Sequence, residues 1–176
     1  ELVAAEPLVH DPVALAFDPD GRIWVAEMRG FMPNVDGEGE LEPNGRIVAL
    51  SDGDGDGAMD DSVVFLDGLV LPRAVGLWRD AVLVVEPPHL WVCRDTDGDG
   101  RCDEREPIAD GFGEGLDNPE HAGNLLLWGL DNWLYSARHV ERFRWRDGGP
   151  QRQPMMLAGQ WGLSEDDWGR QYFNYN

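Results

Sequence analysis

Three features of the sequence predict an all-β chain, a β-propeller fragment of about three and a half four-stranded antiparallel blades. Short alternating apolar segments recur in one order along the chain. Glycine and proline number 22 and 12 among 176 residues, a frequency that punctuates short strands rather than long helices. No stretch of ten or more residues keeps a helical period.

The first set of strands reads VALAFD (13–18), RIWVAE (22–27), RIVALS (46–51) and SVVFLDGL (62–69). The second reads AVGLW (74–78), AVLVVE (81–86), HLWVCRD (89–95) and EPIADGF (106–112). The third reads NLLLWG (124–129), NWLYSA (132–137), ERFRW (141–145) and QPMMLAG (153–159). Short turns join the first two strands of each set, DPDG at 18–21, RD at 79–80 and LD at 130–131, which is hairpin chemistry. A fourth set opens with QWGLSED (160–166), turns at Asp167 and continues into GRQYFNYN (169–176).

These sets place blades at 11–69, 70–112, 121–159 and, incomplete, 160–176. Four-stranded units repeating every roughly 40 to 60 residues are the mark of a propeller, which closes a ring of about four or more blades. Further blades are therefore expected downstream. A small β-sandwich with regular strand spacing is the alternative fold.

Composition limits the partners. Acidic residues number 34 against 14 basic ones, a formal net charge of −20, which excludes nucleic acid and repels anionic lipid. No apolar run approaches the roughly 20 residues that cross a bilayer, so no membrane insertion is expected. Hydrophobic residues at 42% and eight tryptophans supply a core. All the basic residues are arginine, which removes Schiff-base and lysine-base chemistry. The chain starts at Glu1 without a charged-then-apolar leader, the expectation being a removed leader or a fragment. Cys93 and Cys102 are too few for a four-thiolate zinc site and stand open between one disulfide and two free thiols.

The strongest chemical motif is DTDGDGRCDERE at 95–106. With Asp95 at position one, Asp97, Asp99, Gly100, Arg101, Asp103 and Glu106 fall at positions three, five, six, seven, nine and twelve of an EF-hand loop. Calcium takes six to eight oxygens, alternate carboxylates supply them, and position seven gives only its carbonyl. A second loop at 52–61 places Asp52, Asp54, Asp56, Gly57 and Asp60 at positions one, three, five, six and nine, with Val63 at twelve. Its affinity is expected to be the lower for want of the bidentate acid. The two loops follow the third strand of successive sets. Calcium there acts as a staple, and no helix pattern flanks either loop.

With these segments in hand, the chain resembles the N-terminal propeller of the bacterial membrane-bound dehydrogenase domain family, similar in turn to soluble quinoprotein glucose and sorbosone dehydrogenases. The matching segments are DPVALAFDPDGRIWVAEMRG (11–30), GRIVALSDGDGDG (45–57), CRDTDGDGRCDERE (93–106), GFGEG (111–115) and NLLLWGLDNWLYSARH (124–139). The resemblance implies aldose oxidation with pyrroloquinoline quinone held by calcium. A histidine base takes the hydroxyl proton in that chemistry, and EHAGNLLLWGLDNWLY makes His121 its counterpart. The aspartate expected to support this base is Val140 here, and the glutamine expected before the second blade is replaced in LPRAVGL at 71–77. Arg29 and Arg73 fall at loop positions that could face the channel and bind an anionic quinone or sugar acid, or else form ion pairs with nearby acids.

The expected function is the calcium-binding portion of a periplasmic or extracellular sugar dehydrogenase-like protein, with a small sugar or sugar-derived substrate. A haem module is expected downstream if the family pattern holds. The alternative is a noncatalytic propeller that binds carbohydrate or protein, which the missing aspartate and glutamine favour.

Overall fold

A computed structural model describes residues 2–113, 119–146 and 149–175. Residues 114–115 of the GFGEG segment lie outside that range. Among the described residues fourteen strands form three four-stranded sheets and one two-stranded sheet, every one an antiparallel meander in chain order. Sheet 1 holds β1 (Pro12–Phe17), β2 (Ile23–Glu27), β3 (Gly45–Ser51) and β4 (Asp61–Leu69). Sheet 2 holds β5 (Ala74–Trp78), β6 (Ala81–Glu86), β7 (His89–Arg94) and β8 (Glu104–Ala109). Sheet 3 holds β9 (Asn124–Trp128), β10 (Leu134–Ala137), β11 (Glu141–Arg146) and β12 (Gly149–Pro154), and sheet 4 holds β13 (Leu163–Glu165) and β14 (Gln171–Phe173). The first strands β1, β5, β9 and β13 touch in succession, which makes them the inner strands of a propeller.

Sheets 1, 2 and 3 each carry buried residues on both faces, and the sequence shows why. Along AVLVVE of β6, Ala81, Leu83 and Val85 join the core shared with sheet 3, while Val82 and Val84 join the core shared with sheet 1. A strand covered twice reads as a continuous apolar run instead of an alternation. Sheets 1 and 2 meet through Trp24, Ile47, Phe65, Val75, Val84 and Cys93, with Trp24 edge-on to Phe65 at 5.0 Å. Sheets 3 and 4 meet through Trp133, Tyr135, Ala137 and Leu163.

The far face of sheet 1, carrying Ile23, Val25, Val48 and Leu50, is covered by Ala4 and Val9 of the N-terminal segment. That segment stands where a neighbouring sheet's outer strand would stand. Met59 N donates to Val3 O at 2.7 Å, as Cys102 N, 43 residues further on, donates to Phe65 O of β4 at 2.8 Å.

The first turn is built on Asp18. Its Oδ1 accepts the amides of Asp20 and Arg22, and its Oδ2 accepts Arg22 Nε and Trp24 Nε1. Burial alone would raise the Asp18 pKa, but the bonds from Trp24 and Arg22 outweigh it and hold the carboxyl below its usual value. Gly21 supplies the φ of 87°. The same device recurs in sheet 4, where Asp166 accepts from Trp168 N, Arg170 N, Arg170 Nε and Tyr172 Oη. The turn is thus fixed by Asp166 rather than by Asp167.

Two strands depart from the sequence expectation. The fourth strand of sheet 3 is Gly149–Pro154, not 153–159, because its polar residues pair on the outer edge of β11 from Arg146↔Gly149 to Glu141↔Pro154. An outer edge faces water and needs no apolar run. The fourth strand of sheet 2 begins earlier, at Glu104, for the same reason. Among the described residues no helix is long and apolar enough to cross a membrane.

Candidate functional site

Chain direction sorts the connections onto two ends of the sheets. The β1–β2 and β3–β4 connections and their equivalents lie at one end, and the β2–β3 loops and the crossings between sheets lie at the other. The two acidic loops fall at the first end. Arg29, Arg73 and His121 fall at the second. A five-residue strand such as β5 separates the two ends by about 17 Å, so the structure does not bring the acidic loops to the candidate base.

The acidic loops are nine-residue hairpin loops closed by the pairs Ser51↔Asp61 and Arg94↔Glu104. They share one backbone hydrogen-bond pattern. Asp52 accepts Gly55 N at 2.7 Å and Gly57 N at 2.9 Å, and Asp95 accepts Gly98 N at 2.6 Å and Gly100 N at 2.8 Å. Asp54 and Asp97 accept the amides of Asp56 and Asp99, which in turn accept those of Ala58 and Arg101. Asp60 reaches back to Gly53 N at 2.7 Å, and Asp103 to Thr96 N at 2.7 Å and Thr96 Oγ1 at 2.9 Å. Glycines 55, 57, 98 and 100 all take positive φ, which lets the chain wrap around its own carboxylates.

The wrapping gathers one oxygen from each of Asp52, Asp54 and Asp60 within 4.8 Å of one another, and likewise from Asp95, Asp97 and Asp103. Hydrogen bonds from Gly57 and Gly55 hold the Asp52 carboxyl below its ordinary pKa, and those from Thr96 do the same for Asp103. Both groups are therefore carboxylate-rich oxygen sets suited in donor type to a hard divalent cation. Asp56 and Asp99, at position five, lie outside the three-membered groups, as does Arg101. Glu106 does too. It sits exposed on β8 opposite Val92, because a strand leaves the loop where an EF-hand would start a helix.

At the other end, Arg73 is fully buried at the start of β5, and none of its three guanidinium nitrogens finds a hydrogen-bond partner among the described residues. Burial draws its pKa down to about 10, against the opposing pull of Glu40 and Glu120, and Trp161 stacks 5.3 Å from its carbon. Arg29 is engaged. Its Nε donates at 2.8 Å to the buried Glu27, whose other oxygen accepts His10 N. His121 is exposed at the end of the 3₁₀ turn Pro119–His121, and its ring makes no hydrogen bond among the described residues. Val140, the position where the resemblance expects a supporting acid, is half-exposed.

By sequence alone His139 ranks below His121 as a candidate base. It is buried in a stack with Phe112 at 4.0 Å and Phe143 at 5.5 Å, its Nδ1 bonded to Gly111 O at 3.2 Å. Burial lowers its pKa, with Gly111 opposing. Cys93 and Cys102 are free thiols, Cys93 buried in the core between sheets 1 and 2, where burial pushes its thiol pKa up and makes it inert.

Antiparallel four-stranded sheets arranged about contacting inner strands, with paired acidic hairpins at one end, define part of a β-propeller. The chain belongs to the family described as domain of unknown function DUF7133, whose profile matches residues 1–176. No curated protein matches it. Among solved structures it is similar to a gluconolactonase from Xanthomonas campestris, with 16% identity and a TM-score of 0.60, over 96% of this chain and 55% of that one. It is similar to the PQQ domain of pyranose dehydrogenase from Coprinopsis cinerea at 12% identity and a TM-score of 0.52, over 77% of this chain and 31% of that one. A protein from Lactobacillus plantarum gives 16% identity and a TM-score of 0.53, over 96% and 48%. The chain thus spans about half or less of the length of these relatives, and the likeness is one of fold.

Proposed function

We propose that this chain is the calcium-binding portion of an extracytoplasmic propeller protein that oxidises a sugar, with pyrroloquinoline quinone as its cofactor. The observation that carries the calcium reading is the matched pair of carboxylate groups, Asp52, Asp54 and Asp60 and then Asp95, Asp97 and Asp103, 43 residues apart in successive sheets. Three carboxylates drawn together repel one another without a counter-ion, and calcium is the hard cation whose ligand set alternate aspartates supply. Extracellular modules fill such weak sites because calcium is plentiful there.

The sugar-oxidising part rests on the resemblance of the sequence and on Arg73, whose buried guanidinium has no hydrogen-bond partner among the described residues and suits a carboxylate of the quinone. Bound quinone would supply the hydride acceptor. His121 would be the proton acceptor, and Arg29, already paired with Glu27, would be at most a neighbour.

Calorimetry of the metal-free chain tests the calcium reading. Binding of calcium at millimolar concentration or below and a raised melting temperature are expected, with Asp97→Ala and Asp54→Ala each removing one site. No binding at millimolar calcium overturns it. Quinone reconstitution of the complete natural protein, followed by dye-linked aldose oxidation, tests the rest, and His121→Ala should lower turnover roughly 100-fold while calcium-dependent stability persists.

Valine at position 140, where the resemblance expects an acid, and the lack of a hydrogen-bond partner for the His121 ring among the described residues favour a second reading, a noncatalytic propeller that binds carbohydrate or protein. Failure of quinone binding with ligand binding retained would select it.

A further inference from the structure

The chain contains only two cysteines among 176 residues, and the fold brings them together. Cys93 lies on β7 and Cys102 two residues before β8, on the two arms of the second acidic hairpin. Between them the arms are joined by the pair Arg94↔Glu104 and by Asp103 N, which donates to Arg94 O at 2.8 Å. Hairpin arms stand about 5 Å apart, the Cα separation that a disulfide spans. Both side chains turn into the core between sheets 1 and 2, where Cys102 packs against the cluster that holds Cys93. Burial first, and the Cys102 thiol after it, push the Cys93 thiol up, which places the two sulfurs within reach of each other.

Nothing in the packing demands cysteine. In the first hairpin the same two places, 43 residues earlier, hold Leu50 and Met59, which share the core on the far face of sheet 1. Only the thiols can be joined. They also differ in access, since Cys93 is fully buried and closed to reagents from solvent. Cys102 is half-buried, its Sγ donating to Glu104 O at 3.2 Å, and it lines a groove of about 520 Å³ along β4 with Arg46, Asp67 and Arg101. An oxidant therefore meets Cys102 first.

We propose that Cys93 and Cys102 are a redox pair that closes into a disulfide and staples the foot of the second acidic loop. The oxidant is a small disulfide of the glutathione type. The Cys102 thiolate attacks one of its sulfurs, the S–S bond of the oxidant breaks, and one thiolate leaves. Cys93 then gives up its proton and attacks Cys102 Sγ, which releases the second thiolate. Two protein thiols have become one disulfide, and the oxidant has become two thiols. The buried Cys93 needs only its neighbour's sulfur. The closed ring runs from 93 to 102 and ties the end of β7 to the approach to β8, a link the first hairpin cannot make. Such a cross-link stabilises mainly by restricting the unfolded chain. Oxidising compartments keep it closed, and the step uses neither quinone nor calcium.

The test incubates the reduced, folded chain with oxidised glutathione in the absence of denaturant and then blocks remaining thiols with iodoacetamide. Intact mass should show the loss of two hydrogens, with no blocked thiol and no retained glutathione, and dithiothreitol should restore two blockable thiols. Melting temperature should rise by about 5 °C on closure, the scale for so short a loop in a chain of this size. Cys102→Ser, at a half-buried position, should leave Cys93 reduced under the same treatment and abolish the rise. Two thiols still blockable after oxidation, a glutathione adduct that persists on Cys102, or a cross-linked dimer would each overturn the proposal. So would an oxidised chain that melts no higher than the reduced one.

Discussion

The hairpins at 52–60 and 95–103 are the same device set against different neighbours. Their shared backbone-to-aspartate bonds match position for position, the second adding bonds to Asp103 from Thr96 Oγ1 and Asp97 N, yet one is anchored to Val3 of an N-terminal segment and the other to Phe65 of β4. Beneath the first lie Leu50 and Met59, and beneath the second, at the same places 43 residues on, lie Cys93 and Cys102. The difference teaches that the loop conformation is written locally, in Asp and Gly positions, while the anchoring belongs to the position in the ring. The pair beneath the loop need only be apolar, which free Cys satisfies.

The largest expected effect separates the two anchors. Phe65 is buried and edge-on to Trp24, so Phe65→Ala should cost about 3–5 kcal/mol by cavity formation. Val3 is exposed and bonds only through its carbonyl, so Val3→Ala should cost less than about 1 kcal/mol. Urea denaturation of the two variants measures both. Equal losses would show that the N-terminal segment is as firmly built into the ring as β4.

Next in size is the loss of the residue that opens each loop. Asp52 and Asp95 each accept two backbone amides and contribute one member of a carboxylate group. Asp52→Ala and Asp95→Ala should each remove about half of the calcium-induced rise in melting temperature, and the double variant should remove nearly all of it. A rise lost wholly from one single variant would mean that the two loops are not equivalent.

Much of this was legible in the sequence. Repetition of apolar segments marked the strands, and the spacing of aspartates marked both carboxylate groups. The outer strand of sheet 3 was misplaced because Gln151, Arg152 and Gln153 carry no apolar signal at an edge that faces solvent, whereas Met155, Met156 and Leu157 look strand-like yet follow the strand. That Arg73 has no hydrogen-bond partner among the described residues depends on which elements lie beside it, and no local pattern encodes that.

A third effect separates loop from core by pH. His139 is buried and its pKa is lowered, so it is neutral in the folded chain, while in the unfolded chain it titrates near 6.5. Its contribution is therefore complete above about pH 6.5 and is lost as pH falls through that value toward the folded pKa. The lowered pKa values of Asp52 and Asp103 act the other side of that window. Their contribution is complete above about pH 4 and is lost only below it. Melting temperature should thus fall between about pH 7 and 5 in the native chain and fall less in His139→Leu. An unchanged slope over that range would show that His139 does not carry the acid sensitivity there, since the loop aspartates act only below it.

The smallest effect concerns the EF-hand ligand position at which the two hairpins differ. By EF-hand counting, Glu106 gives the second loop a bidentate acid that Val63 denies the first. In the structure both positions lie on returning strands, three residues beyond the last loop aspartate, and a strand carries a residue about 10 Å over that distance. Glu106 sits opposite Val92 in an unbroken ladder from Trp91 to Arg94. Bringing its carboxylate to Asp95, Asp97 and Asp103 would require those β7–β8 pairs to open. Glu106→Gln should therefore change the calcium affinity of the second loop by less than about threefold, and the two loops should bind with similar affinity. Calorimetry on Asp54→Ala, which leaves only the second loop, isolates that affinity with and without Glu106. A loss above tenfold would mean that calcium binding unzips the start of β8 and draws the glutamate in, making the second hairpin a moving part and the first a fixed one.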